Sequence, residues 1–125
     1  CENQLGQIVA AINMDGVGPY LGANSITAIA CSQAFHAHVA GVTQKYPGVV
    51  WVDPWPESNH STFSFRGVPS LALSAVGVRN IAHYPADTID QVSPAKLAEV
   101  VSLVTDIVES MQDKSLGWCR EAKSN

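Results

Sequence analysis

Residues 6–18, GQIVAAINMDGVG, decide how the chain is to be folded. An unbroken apolar run closes on an aspartate and two glycines, the pattern of a strand buried on both faces. Such a strand belongs in the middle of a sheet, with its charged residue where the backbone leaves the sheet. Working outward, residues 25–32 (SITAIACS) alternate and are rich in β-branched side chains, which predicts a second strand. The following QAFHAHVAGVTQKY carries Phe35, Val39 and Val42 at helical spacing and stops at Pro47-Gly48. VVWVDPW is a third strand, broken by Pro54 and Pro56, and PSLALSA is a fourth, entered through a turn at Gly67. A last helix starts with Ser93 as its cap and Pro94 at its first position. Its apolar stripe is predicted to be Leu97, Val100, Val101, Val104, Val108 and Met111. Strands alternating with helices at these lengths predict an α/β fold, a layered sheet with packing helices. Trp118 and Cys119 predict a tail that docks on the body of the protein.

Composition narrows the function. The 125 residues suit one domain, 46% hydrophobic and only 14% charged. A surface so poor in charge points to partial cover by another polypeptide. A formal net charge of -4 offers no basic footprint for phosphates, which argues against nucleic acid. No apolar run approaches the roughly 20 residues of a membrane-spanning helix. Cys1, Cys31 and Cys119 are odd in number and lack C-x-x-C spacing, so free thiols are expected, and with them a reducing, cytoplasmic setting. The chain begins at a cysteine that opens no signal or transit peptide, and sequence upstream is expected.

Candidate chemistry follows from where strands end. In α/β sheets, side chains that follow the carboxyl ends of strands converge on one crevice. Asp15 follows the first strand, His60 the third and His83 the fourth. A carboxylate and a neutral imidazole are ligand types that zinc accepts. Asp15-Gly16 equally forms a turn cap, and a loop histidine equally bonds a backbone carbonyl, so the local residues leave both readings open. Asp87 and Asp90 either cap the loop or orient His83. His36 and His38, two apart on a helix, point to nearly opposite sides and cannot share a metal. No G-x-S-x-G elbow, phosphate-binding glycine loop or H-E-x-x-H is present.

Three motifs in fixed order, INMDGVG, SNHSTFSFRGVPSLALS and AHYPADTIDQVSPAKL with its long helix, resemble the carboxyl-terminal half of the co-catalytic di-zinc aminopeptidases, the family of bacterial leucyl aminopeptidase and aminopeptidases S and Y. The resemblance covers Ile8 to Met111. It implies that residues 1–125 are a single incomplete domain, half of a zinc-exopeptidase (phosphorylase/hydrolase-like) fold. It implies that Asp15 binds one zinc ion, that His83, within an H-x-x-x-D-T motif with Asp87 and Thr88, binds the other, and that His60 lines the cleft beside the metals. Met14, Phe63 and Phe65 are implied as pocket residues. Asn59 stands where the family commonly has Asp, and Ala82 where some members have a tyrosine that steadies the tetrahedral intermediate.

The family's remaining ligands and its general-base glutamate come from sequence before the first motif, so no catalytic residue is expected here. Two ligands are too few for a di-zinc site. The expectation is therefore a fragment of a peptide-cleaving aminopeptidase that is inactive alone, binds zinc weakly, and pairs with the missing amino-terminal half or with itself. The alternative is a non-catalytic binding module on the same scaffold that has lost its metals.

Overall fold

The computed structural model describes residues 2–78 and 83–120. A 3-10 turn over Glu2–Gln7 leads into strand β1, Ala11–Met14. Then follow β2 (Ala23–Ile29), helix α1 (Gln33–Thr43), β3 (Val50–Trp51), the single turn α2 (Ser61–Ser64), β4 (Ser70–Val76), helix α3 (Pro94–Ser110) and a final turn α4 (Leu116–Cys119). The four strands form one sheet in the order β1-β4-β2-β3. β1 runs parallel to β4, with Ala11 opposite Ser70 and Met14 opposite Leu73. β2 is antiparallel to β4 over its whole length and parallel to the short β3.

The predicted α/β layering is what the structure has, with one correction. β1 lies at the end of the strand order, not in the middle, and all four of its residues are at least partly exposed. Two facts account for this. The front of the apolar run is drawn into the 3-10 turn and the link after it, leaving a short strand, and among the described residues β1 has a ladder partner on one side only. The central strands are instead β4 and β2, whose Leu71, Leu73, Ile26 and Thr27 are buried.

The core lies between the sheet and helices α1 and α3, where Phe35, Val39, Val100, Leu103 and Ile107 pack against Ile26, Leu71 and Leu73. Helix α1 starts at Ser32, whose side chain accepts the Phe35 N–H. Ser93 caps α3 in the same way by accepting the Lys96 N–H, as its position before Pro94 predicts. The predicted stripe of α3 is partly out of phase. Val100 is buried and Val104 half-buried, but the deepest residues are Val100, Leu103 and Ile107, while Leu97, Val101 and Val108 are exposed. Apolar residues cover more than one face of this helix, so spacing alone admits two phases. Packing against α1 and the turn that follows it selects between them: Tyr46 Oη donates to Asp106 Oδ2, and His38 Nε2 lies 2.8 Å from Ser110 Oγ.

The tail docks as expected. Ser32 N–H donates to Cys119 O at 2.9 Å, Cys119 is fully buried, and the Arg120 guanidinium donates to the carbonyls of Leu5, Ile8 and Gly67. Cys119 is a free thiol. Among the described residues, no helix is long and apolar enough to cross a membrane.

Candidate functional site

The β1–β4 ladder extends one residue beyond β1, because the Asp15 N–H donates to Leu73 O at 3.1 Å. That bond fixes the Asp15 backbone at the rim of the sheet. Gly16 then takes a φ of 71°, which turns the chain away and leaves the carboxylate exposed. β4 ends at Val76 and turns at Gly77, and the segment it leads into carries His83, also exposed. His83 holds a φ of 68°, a left-handed conformation that costs a non-glycine residue roughly 1 kcal/mol or more. β1 and β4 are neighbours and parallel, so Asp15 and His83 both follow carboxyl ends at one rim of the sheet.

At that rim lies a cleft of about 910 Å³, lined by Gly16, Gly18, Ser74, Gly77, Asp87 and Gln91 among others. Asp87 faces this cleft, and its N–H donates to Tyr84 O at 2.9 Å, closing a tight turn after His83. Among the described residues no three His, Cys, Asp or Glu side chains gather closely enough to hold a metal ion.

The second motif is organised differently. His60 is 1% exposed; its Nε2 donates to Trp55 O at 2.7 Å and its ring stands edge-on to the Trp55 indole. A carbonyl can only accept, so Nε2 carries a hydrogen, while Nδ1 is buried with no hydrogen-bond partner. His60 thus packs inside its own loop instead of facing the open cleft. Met14 is half exposed at the end of β1, Phe63 is half-buried on α2, and Phe65 is 78% exposed. Asn59 is exposed. The first two motifs touch, with Asn13 Nδ2 donating to Ser58 Oγ at 2.9 Å. His36 and His38 part as their spacing predicts: His36 stacks on Trp51, whereas His38 meets Ser110 and the edge of Trp118.

One residue of consequence escapes a reading for reactive side chains. Asn24 is fully buried at the start of β2 and holds the loop that follows Asp15. Its signal was an amide at the head of an otherwise apolar and β-branched strand, where burial demands partners for every polar atom.

The model of peptidase family M28 matches residues 2–108, a span that includes all three motifs. The chain belongs to peptidase family M28. No curated protein sequence matches it. Among solved structures, the aminopeptidase from Aneurinibacillus sp. strain AM-1 superposes with a TM-score of 0.72 at 21% identity, over 98% of this chain and 28% of that one. At that identity the likeness is one of fold, and this M28 chain spans little more than a quarter of the length of that aminopeptidase. The donor types at the rim of this M28 chain, one carboxylate and one imidazole on separate loops, fit zinc chemistry as a partial set. Ala82, the position at which some zinc aminopeptidases carry a tyrosine, lies outside the described residues.

Proposed function

We propose that this M28 chain is part of the catalytic domain of a zinc-dependent aminopeptidase, with Asp15 and His83 each holding one of two metal ions. The observation that supports this most is their shared place after the carboxyl ends of neighbouring parallel strands; the cleft at that rim is lined by Gly16 and Asp87, close to them in sequence, and not by Asp15 or His83 themselves. Zinc bound there supplies Lewis acidity, which polarises a peptide carbonyl and activates water for attack. The chain's own residues present and orient. The Asp15 carboxylate is carried by a backbone locked into the β4 ladder, the His83 imidazole precedes the turn closed at Asp87, and Asp87 lines the cleft, four residues on from the imidazole it would orient. Met14, Phe63 and Phe65 offer apolar surface for the side chain at the amino terminus of a peptide.

The remaining ligands and the general-base glutamate come from other sequence, so the 125 residues alone bind zinc weakly and cleave nothing. The edge of β1 that has no ladder partner among the described residues, and the exposed Leu97, Val101 and Val108 of α3, are the surfaces that the rest of the domain covers, or that a second copy covers in its place. Size-exclusion chromatography across a concentration series tests the second copy, since a strictly monomeric chain removes it.

Zinc titration by calorimetry tests the ligand assignment. Uptake is expected to be weak, to fall in each of Asp15→Ala and His83→Ala, and to disappear when both are replaced. A panel of aminoacyl p-nitroanilides should stay intact with this chain and be cleaved by a protein carrying the upstream sequence, with cleavage lost in either variant. Retained cleavage in His83→Ala refutes the assignment, and a longer protein that takes up no zinc at all favours a non-catalytic module.

A further inference from the structure

The buried amide of Asn24 has no part in any chemistry, yet every one of its hydrogen-bonding groups is committed. Its Oδ1 accepts the Gly18 N–H at 2.7 Å, and its Nδ2 donates both to Lys96 O and to Glu99 Oε1, each at 2.9 Å. This pattern leaves the amide one orientation. The oxygen must meet the only donor, and the two hydrogens must meet the two acceptors. Gly18 is therefore gripped from inside the protein by β2 and the first turns of α3.

The grip continues from one loop directly to the next. The Gly18 carbonyl accepts the Ser93 N–H at 2.9 Å, Tyr20 N–H donates to Gln91 O at 2.7 Å, and Pro19 forms an isolated bridge with Val92. Lys96 Nζ reaches over to the carbonyls of Tyr20 and Gly22. Gly18 itself is pressed on Leu97: a Cβ added there would lie 2.4 Å from Leu97 Cδ2, and its φ of 76° lies in the left-handed region that favours glycine. The segment bearing Asp15 and the end of the segment that carries His83 and Asp87 are thus fastened to each other, and Asn24 fastens the pair to the core.

We propose that Asn24 is a positioning residue for the metal site: through Gly18 it sets the separation of the Asp15 loop from the His83–Ser93 loop. The inference rests on Asp15 and His83 being metal ligands, and deepens that reading by naming what holds their loops in register. Neither loop contributes much to the core, so without the node each is free to move against the other while the sheet stays intact. Removing a group that orients a metal-bearing loop costs affinity for the metal, whereas an equal loss of global stability elsewhere does not.

The test uses the 125-residue chain and zinc alone, followed by amide NMR. In the native chain the Gly18 N–H should exchange at least about 100-fold slower than exposed loop amides. In Asn24→Ala, and in the milder Glu99→Ala that keeps Asn24 but removes one of its acceptors, exchange at Gly18, Tyr20 and Ser93 should accelerate while the β2 and β4 amides stay protected. Zinc-dependent shifts near Asp15 and His83 should half-saturate at about tenfold higher zinc in Asn24→Ala. Leu103→Val, a control that thins the core away from both loops, should leave zinc affinity unchanged. Native-like exchange at Gly18 in the Asn24 variant, or a zinc affinity lowered no more than in the control, overturns the proposal. If the native chain shows no zinc-dependent shifts at Asp15 and His83, the ligand assignment fails and the positioning role falls with it. The exchange data then still report whether the node holds the loops.

Discussion

Replacing Gly22 by alanine tests the packing of the two central strands where they begin and end. Gly22 immediately precedes β2, and Ala23 pairs with Val76 at the end of β4. Gly22 has a φ of 85°, and a Cβ built there would sit 2.2 Å from the Val76 carbonyl oxygen and 3.0 Å from Val78 Cγ1. The left-handed conformation costs an alanine about 1–2 kcal/mol. A comfortable carbon–oxygen approach is roughly 3.3 Å, so the backbones must part by about 1 Å, an overpacking cost of about 1–3 kcal/mol. Together these predict a loss of about 3 kcal/mol, or about 12 °C in Tm for a domain of this size.

Two further glycines isolate the contributions. Gly77, with a φ of 72°, has Gly22 Cα as its nearest atom at 3.4 Å, an ordinary contact, so Gly77→Ala pays the conformational term alone, about 1–2 kcal/mol. Gly41 lies within α1 with nothing near its missing Cβ, so Gly41→Ala should gain about 1 kcal/mol from helix propensity. Urea unfolding of the three variants, followed by circular dichroism with a common slope, gives the ranking directly. If Gly22→Ala and Gly77→Ala agree within about 0.5 kcal/mol, the close approach of Gly22 to Val76 is not a real constraint.

The phase of α3 makes a second prediction: Leu103→Ala should lose about 2–5 kcal/mol, whereas Val101→Glu, on the exposed flank, should change stability by no more than about 0.5 kcal/mol. The reverse order in thermal melts would restore the phase expected from spacing alone. Alkaline pH supplies a third. Hydrogen bonding to Asp106, then burial and the carboxylate's charge, raise the Tyr46 phenol above its usual 10.0. A raised folded-state value stabilises fully below about pH 10 and loses that contribution as pH climbs through the higher folded value. Tyr46→Phe should therefore show a shallower alkaline decline in urea midpoint. Absorbance at 295 nm should find one tyrosine in the native protein titrating late, and its absence would contradict the Tyr46–Asp106 bond.

Much of the proposed site was legible from local chemistry. Asp15 stood out because a charged group just past an apolar strand marks a rim, and His83 because it lies in the loop that follows another such strand. Ser93 stood out because a serine before proline ahead of an apolar helix is a cap. His60 was harder, since SNHSTF reads equally well as an exposed loop or a buried turn; the position of the Trp55 carbonyl and ring turns it inward. Asn24 carried only a faint signal, because its partners Gly18, Lys96 and Glu99 come from two other segments.

The sequence by itself determined which stretches are strand and helix, where the long helix begins, and that a carboxylate and an imidazole follow strand ends, because periodicity, capping and turn chemistry act over a few residues. Only the tertiary structure decided that β1 lies at an edge, that β2 runs against β4, which face of α3 is buried, and that one amide ties two loops together. Those outcomes depend on which distant segments share a hydrogen-bond ladder or a packed face. Several pairings satisfy the same local pattern, and only the close packing of all the elements at once selects one of them.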